Sequence, residues 1–329
     1  MSAASPRAML VCASHSPLMR VDMPRSAPDS QNFLPAVAAV RARVERFAPD
    51  LVVVFGPDHF NGFFFDLMPV FCIGAAAKGG EDWQLPPVEL NVPGDIALAC
   101  VDALRAADFD VALSWQMRVD HGITIPLQLF TGLPTPVPVL PIFINCAAPP
   151  RAPFRRVRQF GAEVGRFLAA QHAGRRILLL GSGGLSHDPP TPHFADAPPE
   201  IRRRLVERNT PTTAELRARE ARVVGMAHAL VRGEGPCHPP DEAWDRALLD
   251  GLVAGDVERF DRFTDDEIDR AAGFGGHEVR CWIAASAAMR ALAGAVRPQV
   301  DYYRVVPEWI TGMGLLTAEH PQPVVQSNP

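Results

Sequence analysis

Residues 51–63 read LVVVFGPDHFNGF: an unbroken apolar run, a Gly-Pro turn, and then a histidine two positions on. A run with no polar alternation predicts a strand covered on both faces, as in a sheet held between two helix layers. The same form recurs at 9–12 (MLVC), 70–73, 111–115, 137–144 and 177–180. Helical patterns fall between the runs: 33–47 closed by Pro49, 96–107, and 155–172 ended by Gly174. This order predicts an α/β three-layer sandwich with a central, mostly parallel or mixed sheet. The proline-dense DPPTPHFADAPP at 188–199 marks a long loop, and the charged stretches 200–231 and 241–272 that follow predict an added helical lobe over about 190–272. An alanine-rich helix is expected over 278–293 and a frayed tail from about 319 to 329. No linker divides the chain, so residues 1–329 are read as one domain.

Composition narrows the function. The chain has 329 residues, 47% of them hydrophobic and 21% charged, which excludes a disordered body. A formal charge of −5 offers no concentrated positive surface for nucleic acid. Lys78 is the only lysine beside 31 arginines, which leaves little room for Schiff-base or P-loop chemistry. Six cysteines lie scattered without a C-x-x-C pair, a pattern that suits reduced thiols. The apolar region 133–148 is broken by prolines at 134, 136, 138 and 141, and the N-terminus lacks a secretion signal. A cytoplasmic protein without a membrane partner is expected.

Four of the ten histidines share one position. His15, His59, His121 and His187 each follow a predicted strand by a few residues. Ligands of open α/β sheets bind beyond the carboxyl ends of the strands, so the four are expected to meet in one pocket. Any one of them alone reads more readily as a loop histidine satisfied by backbone. A cluster of imidazoles can hold a metal ion and move protons near neutral pH. Glu278, after FGGH at 274–277, stands in the first turn of a helix and is a candidate acidic ligand. Asp58 and Asp120 compete for that role or orient the neighbouring imidazoles, and His277 reads as a helix-start residue or as a group supporting Glu278 from behind. GSGGLS at 181–186 does not open a helix, so it reads as a strand-exit turn aiming His187 and not as a dinucleotide loop. No G-x-S-x-G elbow supports a serine hydrolase. The aromatic residues of FNGFFFD and Trp309 read as an interface, a substrate wall or, most commonly, core.

At this point the chain resembles the class III extradiol catechol dioxygenases, which share the fold of the protocatechuate 4,5-dioxygenase β subunit. The resemblance runs from about residue 9 to about 316. Its segments are CASHSPL, FAPDLVVVFGPDHFNGFFFDLMPVFCIG, VDHG followed by Pro126-Leu127, VPVLPIFIN, LGSGGLSHDPP, HEVRCWIAA and YYRVVPEWITGMG. It is weakest over about 190–270. The resemblance implies that His15, His59 and Glu278 hold Fe(II) as a facial triad, with His121 as proton donor and His187 as proton acceptor.

The implied partners are a catecholic small molecule and O₂, with 3-(2,3-dihydroxyphenyl)propanoate as the expected substrate and a homo-oligomer, first a tetramer, as the expected assembly. Such a triad leaves coordination sites for both catechol oxygens and for O₂. Iron is expected over zinc, because zinc has no redox chemistry. The competing readings are a related dioxygenase for gallate, protocatechuate or bare catechol, and a non-enzymatic binding protein on the same fold.

Overall fold

The computed structural model describes residues 7–21, 28–208 and 211–320. The expected tail therefore lies almost wholly outside the described residues. The strands are β1 (Arg7–Ala13), β2 (Leu51–Gly56), β3 (Phe71–Gly74), β4 (Ala77–Gly79), β5 (Val88–Leu90), β6 (Ala112–Ser114), β7 (Met117–Val119), β8 (Val139–Ile144), β9 (Arg176–Ser182), β10 (Gln299–Val306) and β11 (Thr311–Glu319). The helices are α1 (Pro28–Phe47), α2 (Gly94–Ala106), α3 (His121–Phe130), α4 (Phe154–Gln171), α5 (Pro199–Val206), α6 (Thr213–Val231), α7 (Glu242–Val253), α8 (Asp265–Ala272) and α9 (Val279–Ala293).

Eight strands form one mixed sheet in the order β10-β11-β1-β9-β2-β8-β3-β6, and β5-β4-β7 form a second, small sheet. The four central strands β1, β9, β2 and β8 run parallel, while β11 and β3 flank them antiparallel. Strand alternation separates two cores. Leu10, Cys12, Val53, Phe55 and Leu179 face α2, α4 and α9. Met9, Val11, Val52, Val54 and Leu180 face α1 and α3. Both faces of each central strand are thus apolar, which is why these strands read as unbroken runs. The architecture is the three-layer α/β sandwich expected.

Some elements differ from the sequence reading. The strand expected over 111–115 is the short edge strand β6, followed immediately by β7 in the second sheet. His121 consequently follows β7 and opens α3, and does not leave a strand of the main sheet. The charged region 200–231 is two helices, α5 and α6, and 241–272 holds α7, a short 3₁₀ turn and α8. The C-terminal hairpin β10–β11 was not anticipated. Its outer strand β10 is half exposed while β11 is buried along almost its whole length, so the pair shows no shared period.

Helix α4 meets α9 through glycines. A Cβ at Gly161 would lie 2.1 Å from the Ala284 carbonyl oxygen, so only a glycine permits this approach. Gly161→Val is expected to cost about 1–3 kcal/mol through forced separation of the two helices. Urea unfolding of the purified variant against wild type measures the loss.

Candidate active site

The parallel strands β1, β9 and β2 are adjacent and end on the same side of the sheet. Their exits carry His15, His187 and His59, and α3 brings His121 beside them. The four imidazoles and Glu278 line a single cavity of about 220 Å³. The His59 and His121 rings stack at 4.1 Å, and His15 stands edge-on to both at 5.4 and 5.6 Å. The predicted convergence therefore holds for all four histidines, although His121 arrives by a different route.

Hydrogen bonds fix each ring. Ser182 Oγ donates its one proton to the Gly122 carbonyl, so it accepts from His15 Nδ1–H at 3.0 Å. His59 Nδ1–H donates to Asp120 Oδ2 at 3.0 Å, His121 Nδ1–H to Asp82 Oδ2 at 2.5 Å, and His187 Nδ1–H to the Leu185 carbonyl at 3.0 Å. Every Nδ1 is thus occupied, and the Nε2 atoms are left for the cavity. Glu278 Oε1 lies 3.0 Å from His59 Nε2 and 3.6 Å from His187 Nε2, and Oε2 lies 3.7 Å from His15 Nε2. The Gly184 amide donates to Glu278 Oε2 at 2.8 Å. Glycine is required beside His187: a Cβ at Gly275 would lie 2.1 Å from His187 Nε2.

The electrostatics follow from this packing. Burial drives His15 down to about 3, which keeps its imidazole neutral. Burial opposes charge on His59, but Asp120 and Glu278 outweigh it and hold the ring well above its ordinary value. Burial likewise opposes ionisation of Glu278, yet His15, His187 and His59 hold it well below the usual carboxylate range. His187 is raised against its burial, chiefly by Glu278.

Residues 9–314 match the family described as the catalytic LigB subunit of aromatic ring-opening dioxygenase. The chain belongs to this family. It is an extradiol ring-opening dioxygenase, an oxidoreductase, of a metal-dependent kind. Among its relatives, a protein of Cupriavidus pinatubonensis is 46% identical over 311 residues, covering 94% of this chain and 98% of that one. A Rhodococcus jostii protein is 46% identical over 310 residues (94% and 97% covered), and one of Photorhabdus laumondii is 42% identical over 317 (96% and 98% covered). All three are named 2,3-dihydroxyphenylpropionate/2,3-dihydroxicinnamic acid 1,2-dioxygenase.

The donor set of this dioxygenase suits a divalent ion. Two donors about 2.1 Å from an ion and at right angles stand about 3 Å apart, close to the 3.0 and 3.7 Å that separate Glu278 from His59 and His15. One ligand atom each of His15, His59 and His121 also falls within 4.8 Å of the others, so distance alone does not set His121 apart. Glu278 faces His15, His59 and His187, and the Nδ1 of His121 is bound to Asp82 as that of His59 is to Asp120.

The other sequence candidates have defined places. Asp120 orients His59 and caps α3 through the Gly122 amide. Asp58 accepts from the amides of Asn61, Gly62 and Phe63 and shapes the turn after β2; burial and Asp120 push it up to about 7. His277 turns to Asp269 and Arg280, away from the cavity, as a structural residue at the start of α9. Trp309 is buried against Phe33 and also lines the cavity. Ser14 donates to the Gly312 carbonyl and Ser186 to Asp245, so both hydroxyls serve the fold.

Two residues escaped the sequence reading. Asp82 lies 39 positions before His121, in a loop whose Glu81, Trp83 and Gln84 adopt positive φ, and no spacing rule links it to that ring. Asp245 on α7 accepts from the Ser186 amide and hydroxyl and from the Tyr303 hydroxyl, and so anchors the loop that carries His187. Burial lifts Asp245 from 3.8 to about 6. An acid raised on folding stabilises while protonated, and that contribution is lost as pH rises through the folded pKa. The unfolding free energy of wild type relative to Asp245→Asn should therefore fall by on the order of 2–3 kcal/mol between pH 4 and 7. Urea titrations of both proteins across that range check it.

Proposed function

We propose that this chain uses ferrous iron to open 3-(2,3-dihydroxyphenyl)propanoate, and its cinnamate analogue, beside the diol, yielding 2-hydroxy-6-oxonona-2,4-dienedioate with both atoms of O₂ incorporated. The observation that carries the reading is the convergence of four Nε2 atoms and one carboxylate in a single cavity of a ring-opening dioxygenase. The names of the relatives supply the substrate class. A cavity of about 150 Å³ accommodates benzene, so about 220 Å³ suits one ring with a short side chain.

His15, His59 and Glu278 would hold the ion. Bound there, Fe(II) supplies a path for electron density from catecholate to oxygen, and a single carboxylate leaves one net positive charge to favour a catecholate. His187, its Nδ1 tied to a backbone carbonyl, accepts a phenolic proton at Nε2. The pull of Glu278 that raises His187 weakens once that carboxylate is shared with a cation. His121 donates the proton to the departing oxygen from Nε2, and Asp82 at Nδ1 supplies the counter-charge that an imidazolium there requires. Six buried, unpaired thiols support a reducing, cytoplasmic setting, and no described helix is long and apolar enough to cross a membrane. A single catalytic domain with α5–α8 as its helical addition, assembled as a tetramer, completes the reading.

Anaerobic reconstitution with Fe(II), followed by air and the dihydroxyphenylpropanoate, should yield the yellow ring-fission product, with zinc-loaded protein inert. His121→Ala and His187→Ala should keep their iron and lose about 10²–10⁴-fold in turnover. Replacement of His15, His59 or Glu278 should deplete bound iron by metal analysis. Full iron occupancy in all three variants rejects the triad. Asp82→Asn should retain iron and cost about 10–100-fold in kcat.

A further inference from the structure

The cavity that holds the histidines is also walled by α5 and α6, and three arginines, Arg204, Arg219 and Arg222, line that wall. Other enclosed arginines have partners: Arg280 and Arg151 meet Asp265, Arg158 meets Asp261, and Arg20 bonds to Gln128 and the Trp83 carbonyl. Arg219 differs. It is half-buried, its Nε is fully enclosed, and among the described residues it has no hydrogen bond or ion pair. Burial and the nearby charges of Arg204 and Arg222 hold it below the usual guanidinium value. The neighbouring acids are engaged elsewhere, with Glu220 accepting from the Trp83 amide and Glu215 closing the capping box of α6.

Leu216, Arg219, Glu220 and Val223 follow the i, i+3, i+4, i+7 spacing of one helix face, and all four line the cavity. Arg219 thus stands between Leu216 and Val223 on the helix face that lines the cavity. Arg204 and Arg222 repel Arg219 more than Glu215 attracts it, and an incoming anion relieves that cost. A planar fork of N–H donors matches a carboxylate. We propose that Arg219, supported by Arg204, is the receptor for the side-chain carboxylate of the substrate, with Leu216 and Val223 flanking the methylenes. This inference rests on the catechol reading above for the identity of the ligand.

The test separates the two. Calorimetry with 3-phenylpropanoate, which has no diol, and with its neutral analogue 3-phenylpropan-1-ol reads the carboxylate subsite without turnover. Wild type should bind the carboxylate about tenfold or more tightly than the alcohol. Arg219→Leu should abolish that preference and Arg204→Leu should reduce it. In the iron-loaded enzyme, the ratio of kcat/KM for dihydroxyphenylpropanoate over 3-propylcatechol should fall about tenfold in Arg219→Leu, carried by KM and not by kcat.

A folded Arg219→Leu that keeps the preference overturns the proposal, as does a wild type that binds acid and alcohol equally. Should Arg219→Leu fail to fold, Arg219→Lys and Arg204→Leu carry the same comparison, and an unchanged preference in both overturns it. Selective carboxylate binding by a protein that opens no catechol upholds the subsite and rejects the reaction.

Discussion

One constraint organises this molecule: the far nitrogen of each imidazole in the cavity is tied down. Ser182, Asp120, Asp82 and the Leu185 carbonyl each receive an Nδ1 proton, so four Nε2 atoms are presented together around the Glu278 carboxylate. Without those ties each ring has two tautomers and free rotation, and the cluster has no defined donor set. With them, the rings are sorted by what stands behind them. A hydroxyl backs His15, a backbone carbonyl backs His187, and carboxylates back His59 and His121. Neutral oxygens thus stand behind two of the rings and carboxylates behind the other two.

The ties are in turn held by the fold. Asp120 serves His59 while capping α3, so the same carboxylate orients a ring and starts the helix that bears His121. Asp245 and Tyr303 secure Ser186, next to His187, and the backbone of His187 bonds to Ala272 and Gly275. Behind Glu278, the buried Arg280 joins His277 to Asp265. These are buried polar groups whose partners are nearly all satisfied, an arrangement that favours one geometry over its alternatives. Arg219, without a partner for its Nε among the described residues, stands out against that background, and it lies in the wall of the same cavity.

Much of this was legible in the chain. The runs at 9–12, 51–55 and 177–180 announced strands covered on both faces, and the histidines just beyond them announced a shared pocket, because parallel strands deliver their carboxyl ends to one edge. His121 was correctly grouped for a partly wrong reason, since β7 of the second sheet precedes it. The short strands β4, β5 and β7 are three residues each, too brief for any periodicity to register. Strand β10 is half exposed and β11 buried, so neither carried the expected pattern.

The sequence by itself determined the central strands, the layered fold class and the four histidines that meet beyond the strands, since apolar periodicity and residue chemistry are local properties of the chain. Glu278 was singled out from Asp58 and Asp120 only by the family resemblance. Tertiary structure alone decided what stands behind each imidazole and which arginines reach the cavity. Asp82 meets His121 across 39 positions, and Arg219 enters the wall only because α6 packs there. Hydrogen bonds and charge pairs depend on separation in space, and only folding converts a distance along the chain into one across a cavity.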